Sequence, residues 1–272
     1  MVAILACPPH VFRRPEVSAA DIASARRAYT LHLLIRGGAQ ELPVAVETPY
    51  HSPACRLWTP APAALSADAP KDVRWRVAWG RGSGDDLARV LQALLDQNAG
   101  GLCTWLRSAV AVAHAEGHPQ PARLAAELLA RWMQDEDLGV DALGFVRAAT
   151  GLAGPAPAAL AARAVEIPAL LARQGDLVLD SAAATVGVVE RPPRRIRLGE
   201  ILCPTAHAGA QAALWRNGGD ARRILEVGVA HATGACTQGS PVRLSRVWLD
   251  DTGGRLGDEA DLGFSRFYRA NG

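Results

Sequence analysis

Hydrophobic spacing divides this chain into three zones. Residues 1–82 read mostly as strands around one helix. "SAADIASARRA" (18–28) predicts the helix: Ser18 is a good N-cap, and Asp21 three positions on sits where a capping box needs an acceptor. "YTLHLLIRGG" (29–38) predicts a strand ending in a double glycine. Tyr29, Leu31, Leu33 and Ile35 share its apolar face; Thr30, His32, Leu34 and Arg36 share the other. "VRWRVAWG" (73–80) alternates Val73, Trp75, Val77 and Trp79 against Arg74 and Arg76, which predicts a second strand with a core face and a charged face.

The period changes at about residue 83. "SGDDLARVLQALLDQ" opens with Ser83 or Asp85 as cap and an acidic first turn. Three further helical stretches follow, and "APAALAARAVEIPALLARQG" closes the run. Residues 83–173 therefore read as a helical subdomain inserted between two strand-rich zones. From 174 to 272 strands return: "DLVLD", "TVGVVE" and "RRIRLGEIL". "TAHAGAQAALWRNGG" (205–219) reads as a helix from Thr205 to a stop at Gly218. "RILEVGVA" and "VRLSRVWLDD" read as a hairpin. The order predicts an α+β fold with ferredoxin-like sheets in residues 1–82 and 174–272.

Composition narrows the class. The 272 residues include five scattered cysteines with no Cys-x-x-Cys pair, which argues against a disulfide framework and a zinc ribbon. No apolar run approaches the roughly 18 residues that span a bilayer, and "MVAILACPPH" has no basic n-region. The expectation is a cytoplasmic protein with no membrane partner. Net charge is only +2, so bulk charge does not argue for nucleic acid.

Familiar site motifs are absent or defective. In "EVGVAHATGAC", Gly228 and Gly234 are six apart, too far for a methyltransferase cofactor loop, so that reading stands behind the hairpin. His114 and His118 have metal-ligand spacing, but Gly117 and Pro119 end the helix between them. No phosphate loop and no Gly-x-Ser-x-Gly elbow occur. No metal and no cofactor is expected.

Arginine is the remaining signal. Lys71 is the sole lysine among 29 basic residues. A GC-rich genome accounts for missing lysine but not for clustering. Arg191, Arg194, Arg195 and Arg197 fall within seven positions. Arg13, Arg14, Arg26, Arg27, Arg36, Arg222, Arg223, Arg243, Arg246, Arg266 and Arg269 lie in the strand-rich zones. Guanidinium binds phosphate bidentately and reads guanine edges. The competing reading is surface ion pairing with the 27 acids, each pair worth little. Arg195 and Arg197 would share one strand face and grip successive phosphates.

Two sheet-forming halves, arginine-lined strands and the glycine-rich "GGRLGDEADLGFSRFY" resemble the RAMP superfamily of CRISPR proteins. Within it, the helical insertion and arginine content are most similar to the type IV endoribonuclease that cuts the repeat transcript. The family's loop carries Gly-aromatic-Gly, where this chain has Gly263-Phe264-Ser265. The resemblance implies metal-independent cleavage of hairpin RNA by 2′-hydroxyl attack, with the product RNA retained and effector-complex subunits as partners. It makes His10 and His32 the early histidines, with Arg26, Arg27 and Arg36 flanking His32 as candidate catalytic groups; an ordinary sheet histidine competes at His32. Helical Arg107, Arg123 and Arg131 would grip the stem, although Arg123, Glu127 and Arg131 also form an i,i+4 ladder. The alternative within the family is a non-catalytic RNA-binding subunit.

Overall fold

The first helix begins as its sequence dictates. Ser18 Oγ accepts from the Asp21 N–H at 3.2 Å, and the Asp21 carboxylate accepts from the Ser18 N–H at 3.0 Å, closing a capping box on α1 (Ala19–Arg27). The fold is that of a computed structural model, which describes residues 16–36, 41–51, 70–117, 120–136, 138–180, 182, 184–203, 208–233, 242–259 and 262–270. His10, Arg13, Arg14, His118, Thr205 and Gly234 lie outside these residues.

Strand β1 (Thr30–Ile35) pairs antiparallel with β2 (Leu42–Glu47) as a two-stranded sheet. Leu31, Leu33, Ile35, Val44 and Val46 are buried, and His32 faces outward, as the alternation requires. Helices cover the buried face. α3 (Gly84–Asp96) packs on β1 and α5 (Pro121–Asp135) on β2, with α4 (Leu102–Ala115) against both helices. Gln92 on α3 accepts from the Leu34 N–H at 2.9 Å and donates to the Leu34 carbonyl at 3.0 Å, so a side-chain amide pairs backbone groups that β2 leaves free.

Two expected elements differ. "VRWRVAWG" is not a strand but helix α2 (Lys71–Ala78). Val73 and Val77 are four apart as well as alternating, so their spacing fits both periods. Helix wins because Arg76 is clamped by Asp72 one turn back, at 2.5 Å, and by Asp86 at 3.0 Å; Trp75 and Trp79 then face outward. Within the closing helical run, α6 (Ala142–Thr150) and α7 (Pro157–Ala161) are followed by β3 (Ala164–Ile167). β3 exists because it pairs with β9 (Phe264–Ala270), a contact with no local signature.

The large sheet has the order β3-β9-β4-β5-β6-β7-β8, with β4 Leu177–Asp180, β5 Val186–Arg195, β6 Leu225–Ala232, β7 Val242–Leu249 and β8 Arg255–Asp258. The chain is thus mixed α+β, and every pairing between named strands is antiparallel. From β4 to β8 the described strands run as a meander, and β6–β7 is the expected hairpin. Five strand spacings separate β9 from β8, about 24 Å if flat. Residues 259–263 connect them and span about 20 Å at most. The sheet must therefore curl, and β8 touches β9.

Curling gives the sheet an inner and an outer face. Val178, Val189, Val227, Val229, Val247 and Phe267 fill the inner one. Val186, Val188, Ala230 and Ala232 on the outer one join Ile22 of α1 and Phe145 of α6 in a core that also takes in the β1–β2 hairpin. Buried on both faces, β6 has lost the polar alternation of a solvated strand. His231 projects inward. Its Nε2 lies 2.8 Å from Ser245 Oγ, and its ring meets Phe264 edge-on at 5.5 Å. Burial pushes its pKa down to about 4, and nearby Arg243 adds to the effect against Asp258 and Glu259.

Where residues 29, 82, 141 and 144 meet, backbone approaches backbone. The Tyr29 hydroxyl donates to the Gly82 and Gly144 carbonyls at 3.1 and 3.4 Å. Asp141 caps α6 by accepting from the Gly144 N–H at 2.5 Å and pairs with Arg81 at 2.6 Å. A Cβ on Gly144 would stand 2.2 Å from the Gly80 oxygen, and one on Gly84 2.0 Å from the Ala28 oxygen.

Gly144→Ala is expected to destabilise by about 2–3 kcal/mol, lowering Tm by roughly 4–12 °C, because backbone must move to admit the methyl. Gly199→Ala, where a Cβ meets nothing, should leave Tm within about 2 °C in the same thermal melts. His231 generates a pH prediction. Its folded pKa lies below the unfolded value near 6.5, so the unfolded chain binds the proton first. Stability is full above pH 6.5 and falls as pH drops toward 4, by on the order of 3 kcal/mol. Denaturant melts across that window should lose most of this slope in His231→Gln; an unchanged slope would assign it to other groups.

Candidate nucleic-acid interface

β5 carries the densest arginine cluster, and two prolines decide how it is displayed. β4 pairs with β5 at Leu177–Leu179 against Val186–Val188, and Val189 still bonds Gly175 and Asp176; beyond Val189, β5 has no backbone partner on that side among the described residues. Pro192 and Pro193 occupy this free stretch, as residues without an N–H must. On the other side the register with β6 shifts twice, giving Arg191 opposite Gly228, Arg194 opposite Glu226 and Arg195 opposite Leu225. Gly228 makes room for Arg191: a Cβ there would lie 2.9 Å from the Arg191 Cβ and 3.1 Å from its Cγ.

The strand ends at Arg195. "RRIRLGEIL" was expected to be a strand with Arg195 and Arg197 on one face; instead Arg197 precedes a short helix, α8 (Leu198–Leu202). Ile196 and Ile201 are drawn into a small core with Ala210 and Ala213 of α9 (Ala208–Arg216), Ile224 and Trp248. That core turns the chain after β5. Gly218 and Gly219, both at positive φ, terminate α9 as expected of Gly218.

The cluster divides by charge pairing. Arg194 bonds Glu200 and Glu226 at 2.9 Å each, and that guanidinium holds the Glu200 carboxyl below the usual carboxylate range. Arg223 forms a bidentate pair with Asp251 at 2.9 Å. Arg191, Arg195, Arg197 and Arg222 are exposed and make no ion pair among the described residues. Arg195 donates to the Arg222 carbonyl at 3.2 Å, tying the end of β5 to the Ala221–Arg223 turn, which itself packs on α8. On the paired helices α8 and α9, Leu198, Leu202 and Trp215 stand exposed; Trp215 is 82% accessible.

Other candidate arginines are engaged elsewhere. Arg246 pairs with Glu259 and lies over the Trp248 ring, Arg266 pairs with Glu166 over Tyr268, and Arg123 pairs with Glu127. Arg243 sits on β7 in register with His231. Arg107 is exposed on α4, and Arg131 lines a cleft beside α5. The four candidate catalytic residues are held apart. Arg26 is clamped by buried Glu190 of β5 at 3.3 Å. Arg36 pairs with Asp96 at 3.1 Å and Glu41 at 3.3 Å. His32 lies opposite Ala45 on the outer face of β1, and Arg27 is half-buried at the end of α1. No described contact joins His32 to any of these arginines.

Trp215 was missed from the sequence. Ala210, Ala213 and Leu214 already define the inner side of α9, so an indole one position on points out. That offset was the available signal. No protein family matches the chain, and neither a curated protein nor a solved structure is similar to it.

Proposed function

We propose that this protein binds single-stranded RNA at the corner formed by the end of β5, α8 and the Ala221–Arg223 turn. The observation that carries the reading is the set of guanidinium groups there that make no ion pair, Arg195, Arg197 and Arg222, beside the paired helices α8 and α9, of which α9 displays Trp215. Ion pairing accounts for Arg194 and Arg223 and leaves these out. Guanidinium groups meet phosphates along a strand, and an open indole takes an unstacked base. A duplex has no free base face to offer, which favours a single strand over a stem.

The RAMP resemblance adds the class of RNA: a CRISPR repeat transcript, held as part of an RNA-guided complex. Binding rather than cleavage is the reading that the geometry favours, because Arg26, Arg27, His32 and Arg36 do not converge.

Fluorescence anisotropy with a labelled single-stranded repeat RNA tests this. The triple variant Arg195→Ala/Arg197→Ala/Arg222→Ala should weaken binding and reduce the salt slope by about two units. Trp215→Ala should weaken it roughly fivefold to a hundredfold. Arg123→Ala, which breaks an exposed i,i+4 pair, should stay within about twofold. The RNA should be recovered intact; a shortened product ending in a 2′,3′-cyclic phosphate would restore the nuclease reading.

A further inference from the structure

A second site lies away from this corner. α5 and the start of α4 enclose a cleft of about 480 Å³, within the range of small-ligand pockets. Leu94 and Leu102 form its buried floor. Trp105 of α4, 45% exposed, and half-buried Trp132 of α5 line it. At its rim stand Arg131, Asp135 and Glu136. Positions 131, 132, 135 and 136 recur on one side of α5, so one helix face supplies four of the groups.

The rim groups are unspent. Two turns earlier on the same helix, Arg123 and Glu127 close an i,i+4 ion pair at 2.9 Å. Arg131 and Asp135 have the same spacing and make no such pair, and Glu136 makes none. Both carboxylates also sit at the C-terminal end of α5, where the helix dipole disfavours negative charge. Among the described residues no cation pairs with either carboxylate.

We infer that this cleft binds a guanine base. Guanine is planar, and the two indoles offer it faces to stack on. Its Watson–Crick edge carries two parallel donors, N1–H and the N2 amine, which match one carboxylate. Its O6 and N7 are acceptors for a guanidinium, which Arg131 provides. Adenine and cytosine each place a ring acceptor beside their amine, where a carboxylate is repelled. Uracil has one donor between two carbonyls. A guanidinium side chain from another protein shares guanine's donor edge, but its charge would meet Arg131. Of the four bases, guanine alone offers a paired donor edge to a carboxylate and paired acceptors to the guanidinium at once.

The test uses the full-length protein and free nucleoside 5′-monophosphates, so it does not depend on RNA binding at the β5–α8 corner. Guanosine monophosphate should quench tryptophan fluorescence saturably. The adenosine, cytidine and uridine monophosphates should bind at least about tenfold more weakly, and so should inosine monophosphate, which lacks the N2 amine. Trp105→Ala and the double variant Asp135→Asn/Glu136→Gln alter exposed positions, and circular dichroism will establish that they fold; both should lose the guanosine response. Equal affinity for all four nucleotides, or no saturation by guanosine monophosphate at millimolar concentration, would overturn the assignment. So would guanosine binding that survives Trp105→Ala, or saturation by arginine amide without saturation by guanosine monophosphate. Loss of RNA binding in the Arg195/Arg197/Arg222 variant with guanosine binding retained would separate the two sites.

Discussion

The fold turns on one close approach of backbone to backbone. Gly144 at the start of α6 touches the Gly80 carbonyl, and Gly84 at the start of α3 touches that of Ala28. Buried Tyr29 spans the junction by donating to the Gly82 and Gly144 carbonyls, and Asp141 holds α6 in place through its cap and through Arg81. These few residues join the chain's first helix and strand to its helical region. α6 in turn carries Phe145 and Val146 onto β5 and β6. Without a glycine at each contact the helices would stand farther apart, and the outer face of the large sheet would lose its cover.

That cover explains the sheet's chemistry. Buried on both faces, the central strands have little room for charge, and buried His231 bonds Ser245 through Nε2. Charge moves to where the strands outrun their neighbours. β5 is ten residues long and β4 only four, so the last residues of β5 escape pairing on one side. The prolines and the arginines both occupy that overhang. The same feature that tolerates a missing N–H displays the guanidinium groups.

Ion pairing sorts the arginines further. Several clustered arginines meet a carboxylate from a distant part of the chain: Arg26 with Glu190, Arg266 with Glu166, Arg269 with Asp176. An exposed pair such as Arg266–Glu166 contributes little stability, but every such pair removes a guanidinium from the set available to a ligand. The guanidinium groups left over include those of the β5–α8 corner and Arg131 of α5, each with exposed tryptophan on the same or a neighbouring helix. An even balance of charges over the whole chain thus coexists with two locally unbalanced surfaces.

Local chemistry was enough to read much of the secondary structure. Ser18 with Asp21 announced α1, a Ser83 or Asp85 cap with an acidic first turn announced α3, strict alternation announced β1, and the β6–β7 hairpin followed from its two apolar runs. These are interactions within a few residues, so the sequence contains both partners. α2 was misread because Val73 and Val77 satisfy two periods, and the deciding partner, Asp86, lies on the next helix. β3 was missed because its partner strand is about a hundred residues away. The candidate site divides in the same way. Arginine clustering was visible along the chain, but which guanidinium groups are neutralised depends on carboxylates that only folding brings near. Residue types and short-range caps determined the elements; the tertiary structure alone decided the curl of the sheet, the pairing of its charges and the arginines left open to a ligand.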